Sequence, residues 1–274
     1  MTLMRVMTFN VNGSWADPER PERSWANRAA LAVRAIQRYS PDLLGLQEVE
    51  AANFAYLREH LTDYGYELGL EYDEGPYAAN SSIFWKAERF KLIESGKFWF
   101  SQTPDVRSSD WGVPYPMGAT WVRLQDGPTG PQLLHLNTHF EDGAEGEQSR
   151  VESSKLIVAR ARQLAADLPV IATGDFNCNP WSEAYRLLMA AGFTDSYRAA
   201  GQADSVESST FHGFSGREYF SLEWGDELFW RVDWILTRDG RQRLQTTSST
   251  IVRDAEPPIY PSDHYPVVSE LALL

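Results

Sequence analysis

Six short stretches of this 274-residue chain set residues suited to proton transfer and to holding a hard cation at one end or the other of an apolar run. "FNVNG" supplies Asn10 and Asn12, "LQEVE" supplies Glu48, and "LNTHF" supplies Asn137 and His139. "GDFNCNP" adds Asp175 and Asn177, "RVDWIL" adds Asp233, and "SDHYPV" adds Asp263 and His264. Glu48 and Asp263, with amide oxygens nearby, are hard donors that suit Mg²⁺ or Mn²⁺; Zn²⁺ would want more His or Cys. Histidine exchanges protons near neutrality because its unperturbed pKa is about 6.5. Asp233, between Val232 and Trp234, would be a costly lone charge in a buried strand unless paired, and His264 is a natural partner. Each residue alone has an ordinary explanation: a solvated carboxylate, a turn-forming asparagine, a satisfied histidine. Six such stretches, four closing an apolar run and two at or before the start of another, are poorly explained that way.

The elements that must carry these groups alternate between strand and helix. Residues 3–11 read as a buried strand followed by the turn-prone "NGS". From Ser24 the apolar residues Trp25, Ala29, Ala32, Ile36 and Tyr39 recur at steps of three and four, one face of a helix that Pro41 ends. Further strands are expected at 42–49, 82–86, 90–99, 118–125 and 132–139, and in "LPVIATGDF", "RVDWILT" and "HYPVVSELAL". Helices are expected at 51–61, along 149–166, and in "SEAYRLLMAAG". No linker or shift of composition divides the chain, so residues 1–274 are expected to form one α/β domain. Ligands gather where strands end, on loops that a rigid sheet holds in place.

Bulk properties narrow the function. The chain is 43% hydrophobic and 13% aromatic, ample for a core. Its 25 Lys and Arg stand against 38 Asp and Glu, a formal charge of −13. That balance argues against a protein held to long nucleic acid or anionic membrane by charge alone. A single cysteine, Cys178, excludes an intrachain disulfide framework and fits a reducing compartment. No stretch has the length of a membrane span, and the first residues lack the regions of a signal peptide. A monomeric, cytoplasmic protein is the expectation.

In order and wording, the six stretches resemble the endonuclease/exonuclease/phosphatase superfamily, whose members include pancreatic deoxyribonuclease, apurinic endonucleases, neutral sphingomyelinases, inositol polyphosphate 5-phosphatases and nocturnin-type deadenylases. The resemblance runs from Asn10 to His264. Its "NTH" stretch is closer to the sphingomyelinase, phosphatase and deadenylase branches, and "GDFNCNP" with "TFHGF" resembles a bacterial subgroup mostly without an assigned substrate. The resemblance implies a four-layer α/β sandwich, two mixed β-sheets face to face with helices outside, and divalent-metal-dependent hydrolysis of phosphate esters. It implies that Glu48 binds the catalytic metal with Asn10 beside it, and that Asp263 completes the metal-side acids. Asp175 would align the attacking water, and Asn177 would donate to a phosphoryl oxygen. His264, held by Asp233, would be the general base or the imidazole facing the phosphate. His139 would stabilise phosphate charge or protonate the leaving oxygen, supported by Asn137, itself expected among the substrate contacts. Asn12 stands where some nucleases carry an acid and is not assigned as a ligand.

Substrate contacts are sought in two further segments. The connection 101–119 carries Arg107, Trp111 and Tyr115, and "TFHGFSGREYF" carries His212, Arg217 and Phe220. These could stack a base or sugar and pair with a second phosphate, or they could cap a core edge. Arg150 is expected to lock the loop before its helix. The foremost expectation is an Mg²⁺/Mn²⁺-dependent phosphodiesterase or phosphatase for a phosphorylated small molecule, a nucleotide or short single-stranded nucleic acid, without strong binding to duplex DNA. A nuclease for long polymers is the alternative and would need a basic groove. A sphingomyelinase-type enzyme and a non-catalytic binding module rank below it; the latter would have been free to lose these side chains.

Overall fold

The computed structural model describes residues 2–70, 80–143, 146–217 and 231–273. Its strands form two six-stranded sheets. The first runs, edge to edge, β11 (Leu244–Ile251), β12 (Val267–Leu273), β1 (Thr2–Asn10), β2 (Leu43–Gln47), β4 (Ser82–Lys86) and β3 (Tyr64–Glu67). The second runs β5 (Phe90–Trp99), β6 (Gly118–Asp126), β7 (Gln132–His139), β8 (Val170–Asp175), β10 (Asp233–Arg238) and β9 (Thr194–Asp195). Each sheet is antiparallel except for one parallel pair, β1 with β2 and β7 with β8. A parallel pair needs a long crossover, and α1 (Trp25–Tyr39) and α3 (Glu147–Ala165) supply them.

Side chains alternate across a strand, so each strand feeds two layers. On β1, Met4 and Val6 enter the core between the sheets, while Met7 and Phe9 pack beneath α1 with Trp25, Ala29 and Ala32. On β8, Ile171 faces the other sheet, and Val170 and Ala172 pack outward with Ile157 of α3 and Leu188 of α4 (Glu183–Ala190). Helix, sheet, sheet, helix is the resulting order. α1 ends as its sequence requires: Ser40 takes a left-handed conformation, its N–H bonds the Ile36 carbonyl, and Pro41 follows.

The face between the sheets changes character along its length. β1 presents Met4, Val6, Thr8 and Asn10 in turn; β7 presents Leu133, His135, Asn137 and His139; β8 presents Ile171, Thr173 and Asp175. Where the polar part begins, Asn137 ties the two sheets together. Its Nδ2 donates to the carbonyls of Leu46 and Ser82, each at 2.9 Å, and its Oδ1 accepts from Gln47 Nε2 at 2.7 Å and Thr173 Oγ1 at 3.0 Å. The expected substrate contact of Asn137 is therefore corrected: it is fully buried, with both ends of its amide engaged in the sandwich. Gly45 permits this approach. A Cβ there would lie 2.1 Å from Thr173 Oγ1 and 2.6 Å from Asn137 Oδ1.

The sequence reading missed three edge strands, β3, β9 and β11. In β11, "LQTTSSTI", most side chains are partly or fully exposed, so no apolar run marks it. Among the described residues no helix is long and apolar enough to cross a membrane.

Candidate active site

Topology brings the six stretches to one end of the sandwich. The parallel pairs place Asn10 beside Gln47 and His139 beside Asp175 where these strands finish. β10 runs the other way and starts with Asp233 opposite Asp175. β12 begins opposite Thr8, so Asp263 and His264, just ahead of it, arrive at the same end. Two of the strand ends use one local device. The Asn10 side-chain oxygen accepts the Asn12 N–H at 2.9 Å, and an Asp175 oxygen accepts the Asn177 N–H at 3.0 Å. Asn12 and Asn177 each turn into the left-handed region, with φ of 53° and 46°. Glu48 is also left-handed, with φ 54°, which is unfavourable for glutamate and costs on the order of 1–3 kcal/mol. Its N–H is held by Asn80 Oδ1 at 2.8 Å.

The side chains then converge on Asp175, which is 1% exposed. His139 Nε2 lies 3.5 Å from Asp175 Oδ2 and His264 Nε2 lies 3.6 Å from the same oxygen, so two imidazoles bracket one carboxylate. His264 Nδ1 is 2.9 Å from Asp233 Oδ2, itself buried. With Nδ1–H donating to that carboxylate, Nε2 is left to face the pocket. Burial alone would push the His264 imidazole down, but the charges of Asp233, Asp175 and Asp263 outweigh it and hold the ring well above its ordinary value. Burial raises the Glu48 carboxyl, and Asp263 adds to this, against the pull of His139 and of the amide of Asn10.

Glu48, His139, Asp175, Asp263 and His264 line a cleft of about 370 Å³ with Asp142, Asn177, Phe211 and Val232. Four of its walls are carboxylates, Glu48, Asp142, Asp175 and Asp263, and among the described residues no Lys or Arg lines it. Its acidic charge would repel an anion unless offset, and the donors are hard oxygens, so a divalent ion of the Mg²⁺ class fits the residues present. Ligand atoms of Asp175, Asp233 and His264 lie within 4.8 Å of one another. The 2.9 Å contact between His264 and Asp233 is, however, a hydrogen bond with a proton between its atoms, which leaves that edge no room for an ion. The open donors are on the side of Glu48 and Asp263.

Several expectations need correction. Asn10 turns its amide oxygen toward its own loop, where it accepts the Asn12 N–H at 2.9 Å. Its Nδ2 instead donates to Glu48 Oε1 at 2.8 Å and to Asp175 Oδ2 at 3.0 Å, so it aims two carboxylates. His212 does not reach the cleft. It is fully buried, stacked 4.0 Å from the Tyr265 ring, and burial, helped by the charges of His264 and Arg253, drives its pKa down to about 3. Its N–H holds the Asp263 carbonyl at 2.8 Å, a contact through backbone alone. Arg107 lies over the Trp99 ring, 6.0 Å from its centroid, and Trp111 packs against the outer core of the second sheet; neither lines the cleft. From that connection Tyr115 does reach the rim, its hydroxyl 3.4 Å from Asp142. Phe220 lies outside the described residues. Asn177 lines the cleft, with its Nδ2 donating to the Phe140 carbonyl at 2.8 Å. Arg150 holds its loop through the carbonyls of Glu141 and Gly143. Reading the sequence missed Phe211, whose ring lies 5.0 Å from that of His264, and Asp142.

A model of the Endonuclease/Exonuclease/phosphatase family matches residues 7–264, nearly the whole chain and all six stretches. The chain belongs to this family. An endonuclease/exonuclease/phosphatase family protein from Bacteroides thetaiotaomicron has a similar solved structure, with TM-score 0.86 and 26% identity, covering 100% of this chain and 96% of that one. A mannosyl-6-phosphatase from the same organism aligns with TM-score 0.84 and 26% identity, covering 98% and 100%. Nocturnin from Xenopus laevis is 28% identical over 175 residues, 59% of this chain and 42% of that protein, so the match spans less than half of that relative. Members of the endonuclease/exonuclease/phosphatase family are hydrolytic phosphoesterases, and its sandwich of two mixed sheets is the architecture described above.

Proposed function

We propose that this cleft hydrolyses the phosphate ester of a small phosphorylated substrate with the help of Mg²⁺ or Mn²⁺. One observation supports it above the rest: a buried carboxylate bracketed by two imidazoles, in a pocket whose charged walls are otherwise acidic. Glu48 and Asp263 would hold the ion, with Asn10 keeping Glu48 in place. When bound, such an ion neutralises charge on the phosphoryl oxygens, the main obstacle to attack on an anionic centre. Asp175 aligns the attacking water. His264 moves a proton at Nε2 while Asp233 fixes its tautomer and direction, the use of an acid–histidine pair in many hydrolases. His139, on the opposite wall beside Glu48 and Asp175, meets the phosphate or the leaving oxygen, and Asn177 offers it an N–H. Phe211 and Val232 give the leaving group an apolar wall.

The cleft of about 370 Å³, with no Lys or Arg among the described residues that line it, favours a substrate with one or two phosphates over a polymer. The name of the Bacteroides thetaiotaomicron mannosyl-6-phosphatase puts sugar phosphates first in a substrate panel. The test is turnover of p-nitrophenyl phosphate, bis(p-nitrophenyl) phosphate, sugar phosphates, nucleotides and oligonucleotides. Activity should vanish in EDTA and return with Mg²⁺ or Mn²⁺. Full activity in the chelator would sink the metal reading.

A further inference from the structure

The buried face of α1 carries one charged side chain, Arg28, with no exposed surface. A guanidinium has five N–H donors in a rigid fork, and here they meet five main-chain carbonyls. Nε donates to Arg23 at 2.9 Å; one terminal nitrogen donates to Val11 and, at 3.2 Å, to Pro261; the other donates to Asn12 and, at 2.7 Å, to Gly13. The rings of Trp25 and Phe214 flank it, 5.1 and 5.8 Å from Cζ. No carboxylate takes these bonds, so the group is not built as an ion pair. Burial lowers its pKa to about 10, opposed by the charges of Asp263, Glu48 and Glu50, which leaves it a cation at neutral pH.

The five carbonyls belong mainly to two loops. Residues 11–13 follow Asn10 and contain two successive left-handed residues, Asn12 and Gly13, with φ of 53° and 54°. The Asn12 N–H orients the amide of Asn10, and the Gly13 N–H bonds the Glu48 carbonyl at 3.1 Å. Pro261 immediately precedes Ser262, Asp263 and His264. One guanidinium therefore clips the loop that aims Glu48 to the loop that carries Asp263, and it touches neither carboxylate.

We propose that Arg28 is a positioning residue for the metal side of the site, setting cation affinity by fixing the spacing of loops 11–13 and 261–264. This rests on the divalent-metal reading above. Lysine in its place would keep the charge but gather three donors at one point, unable to span five carbonyls. Partners that orient metal ligands typically contribute about 10–100-fold in affinity.

Mn²⁺ binding to the chelator-stripped full chain, followed by electron paramagnetic resonance and calorimetry, tests it without turnover. Arg28→Lys and Arg28→Gln should each weaken Mn²⁺ binding about 10–100-fold. Arg89→Lys is the control: Arg89 bonds Asp126 twice at 2.8 Å and the Leu3 carbonyl at the far end of β1, so it should lower the melting temperature yet keep Mn²⁺ affinity within about twofold. Wild-type affinity in Arg28→Lys would overturn the inference. So would affinity that falls with melting temperature alike in the Arg28 and Arg89 variants, or failure of both Arg28 variants to fold, since each makes the role general to the fold. A wild-type protein that binds no Mn²⁺ would overturn the metal reading instead.

Discussion

At the scale of single residues, the site turns on what each imidazole is bonded to. His264 has a buried carboxylate at 2.9 Å behind Nδ1, while the Nδ1 of His139 has no hydrogen-bond partner among the described residues. Only His264 of the two has a carboxylate hydrogen-bonded behind the ring to fix its tautomer, so it is the better placed for proton transfer. His264→Ala should reduce kcat by roughly 10²–10⁴-fold, the usual contribution of a general acid–base group. Asp233→Asn should cause much of the same loss through misorientation, and the double variant should be little worse than His264→Ala alone. Steady-state kinetics with a chromogenic phosphate would measure all three. Independent, multiplying effects would break the link between the two residues.

At the scale of elements, the sheets carry a gradient from an apolar core to a polar end, and the crossing point depends on close approach. Gly45 and Asn137 define it. In Gly45→Ala the new Cβ would press on Thr173 Oγ1 and Asn137 Oδ1, so either the sheets part or the Asn137 bonds break. Overpacking of this kind costs roughly 1–3 kcal/mol. Gly240→Ala, where a Cβ would meet nothing within 4 Å, should stay within about 0.5 kcal/mol of the parent. Urea midpoints of the two variants decide it, and equal midpoints would mean that the sheets yield there at no cost.

At the scale of the whole molecule, charge and pH matter. With a net charge of −13 and an acidic cleft, a long duplex is repelled away from the ion. Weak duplex binding should follow, with a shallow salt dependence, against a log–log slope of about −0.9 for each phosphate neutralised. Fluorescence anisotropy across a salt series would reverse this if it gave sub-micromolar affinity and a slope worth about six contacts. The fold also has a buried titrating group in His135, whose pKa burial drives to about 3. Between the unfolded value of about 6.5 and 3, the unfolded chain binds a proton there that the folded chain does not. This residue therefore takes away about 1.4 kcal/mol of stability for each pH unit below 6.5, and nothing above it. His135→Gln should flatten that part of the urea-midpoint profile by this amount; an unchanged slope would mean that the ring is protonated in the folded state.

How much of this was legible in the residues follows from the range of the forces involved. Alternating polarity, a proline after an apolar stripe, and asparagine two residues beyond a strand end all act within a few positions, so the main strands and helices could be read directly from the sequence. The acids and imidazoles could be read too, because hard donors and titrating groups keep their chemistry wherever the chain puts them. The direction in which a side chain spends its bonds could not. Asn137 meets Gln47 across 90 residues and the Leu46 carbonyl across 91, and those contacts, not its type, make it a clasp between sheets. The Asn10 amide is turned by its own loop so that nitrogen, not oxygen, faces the acids. Arg28 lies on the same buried face as Trp25 and Ala32, and the sequence reading passed over it. Its meaning came only with Pro261, which the chain delivers from 233 residues away. Donors and acceptors are named by sequence, but they are paired by the closing of the two sheets, because a buried polar group must bond whatever the fold puts beside it.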